Sequence, residues 1–152
     1  MRIRAAAPED HDTLLDIWLR SVRATHTFLS EEDIQFFLPI VRDQAFQELE
    51  LWVLTDDDRA LMGFMGLAGN RLEALFLSPE SAGRGGGRRL VEYARKLKRP
   101  LLVDVNEQNP RARKFYEALG FVVVGRSELD STGRPFPLLH MREAEQHQSQ
   151  TP

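Results

Sequence analysis

An apolar, strand-like run, Leu72-Glu73-Ala74-Leu75-Phe76-Leu77, leads through Ser78-Pro79-Glu80-Ser81 into Ala82-Gly83-Arg84-Gly85-Gly86-Gly87. Leu90, Val91, Ala94 and Leu97 then recur at helical spacing, with Arg88, Arg89, Arg95 and Lys96 on the opposite side. A glycine inside a helix costs roughly 1 kcal/mol relative to alanine, so a glycine-rich helix start needs something to offset it. Such a start leaves the first backbone N–H groups unpaired, lets an anion approach closely, and puts the positive end of the helix dipole behind it. Arg84, Arg88 and Arg89 add fixed charge. The stretch reads as a pyrophosphate cradle; the plainer alternative is a flexible glycine linker with solvated arginines.

The rest of the chain can be placed around this unit. Residues 2–6 read as a first strand. Pro8-Glu9-Asp10 opens a helix over 11–24, with Leu14, Leu15, Trp18 and Val22 on one side. Ser30-Glu31-Glu32-Asp33 resembles a capping box, and Ile34, Phe37, Leu38, Val41 and Ala45 keep the helical period after it. Pro39 interrupts that run, which predicts a kink or two short helices. Residues 51–55, 61–68 and 72–77 read as an antiparallel meander. The run 101–105 reads as an apolar, buried strand, so the cradle helix makes a crossover between two parallel neighbours. Asn109 fits an N-cap, Pro110 the first helical position, and Gly120 the residue after the helix. Strands at 121–125 and 136–141 complete the pattern, with Pro137 at a bulge or edge. The expected organisation is one domain over residues 1–143 and a disordered tail over 144–152.

Composition removes whole classes of function. A chain of 152 residues with 28% charged residues and no run near the ~20 apolar residues that cross a bilayer is expected to be a single soluble domain. No secretory leader pattern is visible, so a cytoplasmic location is expected, without membrane partners. With no cysteine there is no disulfide, thiolate metal site or cysteine nucleophile. A formal charge of −3 argues against nucleic acid as a partner. The four histidines show no paired ligand spacing, and no Ser/His/Asp arrangement is visible, so neither a metal nor a covalent intermediate is expected.

Two segments together resemble a known family. Ala82-Gly83-Arg84-Gly85-Gly86-Gly87 and Asn109-Pro110-Arg111-Ala112-Arg113-Lys114-Phe115-Tyr116-Glu117-Ala118-Leu119-Gly120-Phe121 are similar to the two signature motifs of GCN5-related N-acetyltransferases, the GNAT superfamily, and the element order matches. The C-terminal half resembles small stand-alone bacterial members. The resemblance implies an α/β fold with a mixed, mostly antiparallel sheet, one parallel strand pair and flanking helices. It also implies transfer of an acetyl group from acetyl-CoA to a primary amine by direct attack. The coenzyme would contact the backbone of Leu75, Phe76 and Leu77, the loop Ala82, Gly83, Arg84, Gly85, Gly86, Gly87 and Arg88, and Asn109. The family usually has Arg or Gln where this chain has Ala82, a departure that weakens binding if side chains matter there.

By the same resemblance, Tyr116 is the general acid near the coenzyme sulfur, and a phenol is protonated at neutral pH. Packing beside Phe115 explains the same tyrosine, and the two roles are compatible. Glu73 is the candidate base; strand alternation puts it on one face with Leu75 and Leu77, where apolar neighbours would raise its pKa. His26 is a second candidate base. His26 and Phe28 fall in the region that covers the acceptor in the family, and Trp18, Phe36 and Phe37 could wall the same pocket or sit in the core. His140 is ambiguous in the same way, while His11 and His147 read as surface and tail. The acceptor is a small-molecule or peptide amine that the sequence leaves unspecified. The assembly is a monomer or a homodimer through the last strands.

Two other readings compete. Gly83-Arg84-Gly85 begins a GxGxxG match, and Asp104 lies about 20 residues on, where a ribose-binding acid belongs in dinucleotide-binding units. Arg88 occupies the third glycine position, however, and the chain is short for a doubly wound sheet. The other is a coenzyme A-binding sensor without turnover, which Glu73 and Tyr116 would discriminate.

Overall fold

The computed structural model describes residues 1–144; the tail expected beyond them lies outside the described residues. Seven strands form one sheet in the order β1-β2-β3-β4-β5-β7-β6. They are β1 (Arg2–Ala5), β2 (Glu50–Thr55), β3 (Leu61–Ala68), β4 (Arg71–Leu77), β5 (Leu102–Asn106), β6 (Phe121–Ser127) and β7 (Leu138–Glu143). All neighbours are antiparallel except β4 and β5. The mixed α/β architecture with one parallel pair is therefore as expected. β7 begins two residues later than its sequence pattern, because Pro137 has no N–H for a ladder; its carbonyl instead accepts from Glu107 N at 2.9 Å. β6 is an outer edge, and Val122, Val123 and Val124 are exposed on it.

Helices cover both faces. α1 (His11–Thr25) buries Leu14, Ile17, Trp18 and Val22 against Val53 and Phe64 of the sheet. α2 (Glu31–Ile40) starts with the expected capping box: Asp33 N donates to Ser30 Oγ at 3.1 Å, and Ser30 N to Asp33 Oδ2 at 2.9 Å. Pro39 sits inside α2 without ending it, and the helix passes just after it into a π-helical turn, Val41–Ala45, followed by the short α3 (Phe46–Glu48). On the other face, α4 (Gly86–Leu97) and α5 (Pro110–Ala118) pack Leu90, Val91, Ala94 and Tyr116 onto Leu72, Val103 and Val105.

Two features of β4 shape everything that follows. Gly66 of β3 pairs with Ala74, but Leu67 pairs with Leu72, so Glu73 is an extra residue in a β-bulge. The bulge corrects the simple alternation. Leu72, Leu75 and Leu77 join the α4 side, Ala74 and Phe76 the α1 side, and Glu73 sits at the break. Second, β4 pairs with β5 only at Arg71↔Leu102 and Leu72↔Val103. Beyond that point β5 keeps pairing with β7 and β4 with β3, so the sheet opens between them.

Candidate active site

The opening is bounded by a cradle, a cleft and a cavity. The cradle starts where Ser81 ends a 3₁₀ turn (Pro79–Ser81), and Gly83 and Gly85 take φ of 78° and 84°. Nothing lies within 4 Å of a Cβ built on either, so left-handed backbone, not crowding, calls for glycine there. Gly85 is the N-cap of α4. Among the described residues, no backbone carbonyl accepts from the N–H groups of Gly83, Arg84, Gly85, Gly86, Gly87 or Arg88. That run of donors lies at a helix start, where Gly83, Arg84, Gly85 and Arg88 are exposed and Gly86 and Gly87 buried. Gly86 and Gly87 serve packing instead: a Cβ would lie 2.7 Å from Leu54 Cδ2 and 3.2 Å from Phe115 Cζ.

The cleft, of about 170 Å³, lies where β4 and β5 part, lined by Glu73, Leu75, Phe76, Asn106, Asn109 and Tyr116 among others. Along it the backbone of β4 up to Leu77 has no β5 partner. Asn109 caps α5, its Oδ1 accepting from Ala112 N at 3.2 Å, and also lines the cleft. Tyr116 is 6% exposed and packs edge-on against Phe115 and Phe121, with centroids 5.0 and 5.4 Å away. Its hydroxyl makes no protein hydrogen bond among the described residues, and burial pushes its pKa well above the usual phenol range.

The larger cavity, about 760 Å³, lies on the α1 side and is walled by Trp18, Phe28, Phe37 and Phe136. Phe136, on the loop before β7, stacks at 5.9 Å from Phe28 and 6.3 Å from Phe37, which joins the helical cover to the far end of the sheet. Phe36 points elsewhere, under the Arg134 guanidinium at 3.7 Å. His26, Glu73, Ala74, Phe76, Asp104 and Asn106 line both spaces and form their boundary. Desolvation by burial lowers the pKa of His26, favouring the neutral ring, and Thr25 Oγ1 lies 2.8 Å from its Nδ1. Burial raises the pKa of Glu73; Arg71, with Nε 3.8 Å from Glu73 Oε1, opposes the shift, and Asp104 adds to it.

Glu73, His26, Leu75, Phe76, Asn109 and Tyr116 thus line one cleft, Phe28 joins His26 and Glu73 in the larger cavity, and Leu77, Ala82 and the glycines line neither, following Phe76 along the chain. The pattern missed two things. Asp104 breaks the run read as an apolar strand, and its side chain faces the boundary instead of a ribose site. A Ser/His/Asp arrangement also exists, contrary to the sequence reading: His140 Nδ1 lies 2.7 Å from Asp104 Oδ1, and its Nε2 lies 2.6 Å from Ser127 Oγ. These residues are far apart in sequence and meet only through the β5–β7–β6 ladders. Among the described residues no cluster of three or more His, Asp or Glu could hold a metal, and no helix is long and apolar enough to cross a membrane.

A sheet split at its parallel pair, beside a helix start of free N–H groups, is the arrangement that the resemblance to acetyl-CoA-dependent N-acetyltransferases implies. Residues 26–142 match the family model described as Acetyltransferase (GNAT) domain, and the chain belongs to that family. It is an N-acetyltransferase that uses acetyl-CoA as donor. The chain is 43% identical over 148 residues to Peptidyl-lysine N-acetyltransferase YjaB of Salmonella typhimurium, covering 93% of this chain and 97% of that one. It is 44% identical over 139 residues to the protein of the same name from Escherichia coli, covering 91% and 94%. The solution structure of apo-form YjaB from Escherichia coli superposes with a TM-score of 0.88 at 42% identity, over 95% of this chain and 98% of that one.

Proposed function

We propose that this chain acetylates the side-chain amine of lysine in a peptide or protein. The observation that carries the reading is the shared boundary: a donor cleft and an aromatic cavity meet at Glu73, His26 and Asp104. Aromatic walls suit the apolar stem of a lysine, and carboxylates at the end suit its ammonium. The names of the two relatives, each more than 40% identical, point the same way.

Acetyl-CoA supplies an acyl group already activated as a thioester. The free N–H groups of Gly83 to Arg88 fit its pyrophosphate, with Arg84 and Arg88 alongside; Ala82 adds no side-chain donor, so backbone carries that contact. The unpaired edge of β4 at Leu75, Phe76 and Leu77 offers donors and acceptors to the amide arm, and Asn109 closes the other wall. Glu73 takes the proton that an ammonium must lose before it can attack, since its raised pKa brings it nearer the amine's. Tyr116 keeps its proton and donates a hydrogen bond to the departing sulfur, which takes up the second proton that the amine nitrogen sheds as the amide forms. His26 and Phe28 shape the acceptor side.

The test is a panel of acceptors assayed with acetyl-CoA and read by mass spectrometry: lysine peptides, peptides free only at the N-terminus, and a polyamine. Acetylation on the lysine side chain with kcat/KM well above the other two is expected. Turnover of the polyamine alone would overturn the lysine assignment.

A further inference from the structure

Asp104, His140 and Ser127 form one hydrogen-bonded line across three adjacent strands, β5, β7 and β6. The residue types are those of hydrolases that use a serine nucleophile, but the line runs the wrong way round for that chemistry. Asp104 lines both the cleft and the acceptor cavity, whereas His140 and Ser127 line neither. A serine at the end remote from substrate has nothing to attack. What the line delivers to the cavity is a carboxylate.

That carboxylate is held from one side. Ionised oxygen can only accept, so His140 donates from Nδ1 to Oδ1. Arg71 Nη1 approaches the same Oδ1 at 3.3 Å. Among the described residues Oδ2 makes no hydrogen bond, and the side chain is 28% exposed, next to the Glu73 bulge. We propose that Asp104 is a second acceptor-binding carboxylate, gripping the incoming ammonium through Oδ2 across the boundary from Glu73. His140 and Ser127 are positioning residues that fix its orientation. The inference rests on the transferase reading and deepens it. A cationic amine is then held between two acids while Glu73 removes the proton, and a neutral or anionic nucleophile finds no such grip.

Two measurements test this, and the first needs no turnover. An acetyl-capped lysine peptide is titrated into the ¹⁵N-labelled protein with coenzyme A present, and the imidazole nitrogens of His140 are followed by long-range ¹H–¹⁵N spectra. The His140 Nδ1 signal is expected to move with peptide in the wild type and to stay fixed in Asp104→Asn. In steady-state kinetics, Asp104→Asn is expected to raise the KM for the peptide about tenfold, the scale of one hydrogen bond to a charged group, while the KM for acetyl-CoA holds. His140→Ala should raise peptide KM in the same direction, and His140→Asn, whose amide can donate to Asp104, should restore most of it. A purely structural His140 would lower thermal stability in both variants without that split. An unmoved His140 signal, or wild-type peptide KM in Asp104→Asn, overturns the proposal. A wild type that acetylates no lysine peptide sinks the transferase reading instead, and the titration then decides this one alone.

Discussion

Arg71 Nε lies 3.8 Å from Glu73 Oε1, two residues along the same strand and beside the last rungs that β4 pairs with β5. Arg71 therefore tempers a carboxylate whose burial would otherwise raise its pKa further. A base works only when deprotonated, so kcat/KM should rise with pH through a limb set by Glu73, above the ordinary glutamate value. Removing the lowering influence with Arg71→Ala should move that limb to higher pH. Glu73→Gln should abolish it and reduce kcat/KM by about 10²-fold or more, the usual share of a positioned base. A pH–rate profile with the same acid limb in Glu73→Gln would transfer the role to another group, with His26 first in line.

Tyr116 gives the opposite signature. Burial raises its pKa, so the phenol stays protonated throughout the alkaline range in which an enzyme can be assayed. No alkaline limb of kcat should belong to it. Tyr116→Phe keeps the edge-on packing against Phe115 and Phe121, so thermal stability should hold while kcat falls by about 10²-fold and the KM for acetyl-CoA barely changes. Equal kcat in the variant would reduce Tyr116 to a core residue.

Local elements were legible from residue order, and tertiary ones were not. The cradle, the Ser30–Asp33 capping box and the Asn109 cap each involve neighbours within a turn or two, so their residue types announce them. The bulge at Glu73 depends on how Gly66 and Leu67 pair with the next strand, which alternation along β4 alone does not encode. Asp104 and His140 meet through a ladder between strands 36 residues apart in the chain, and nothing in either segment points to the other. The larger cavity draws on α1, α2, β4 and the loop at Phe136, so its walls looked like ordinary core aromatics. The cue that could have been used was Asp104 itself, one acid within an otherwise apolar strand.

The cradle makes a prediction about backbone. Gly85 has φ of 84° with open space around its Cβ position, so Gly85→Ala meets no clash but must hold a left-handed conformation. The cost is about 1–2 kcal/mol if the backbone keeps its shape, visible as a lower midpoint in urea. If the loop instead relaxes, stability recovers and the fan of N–H groups is lost. Calorimetry with acetyl-CoA distinguishes these outcomes: stability and affinity should trade against each other across Gly83→Ala and Gly85→Ala. A variant that kept both would show that the left-handed backbone is not what forms the cradle.

Glu143 tests the frame behind the site. Its side chain is 4% exposed, with Oε2 2.6 Å from Arg99 Nη2 and 3.0 Å from Arg95 Nε, while Leu101 N donates to Oε1 at 2.9 Å. One carboxylate thus joins the end of β7 to the segment before β5 and to the last turn of α4. Arg95 in turn lies over the Phe121 ring at 5.2 Å and reaches the Leu119 carbonyl. Glu143→Ala leaves the Leu101 N–H without its acceptor and takes the nearest carboxylate from Arg95, while the half-exposed Arg99 turns to water, so the loss in urea unfolding should be about 1–3 kcal/mol. Glu143→Gln keeps an acceptor for Leu101 but no charge for the two arginines, and should fall between. Because Glu143 lines neither the cleft nor the cavity, kcat/KM of the folded fraction should stay at the wild-type value. A loss under about 1 kcal/mol, the scale of a solvated surface pair, would mean that water reaches the arginines once the carboxylate is gone.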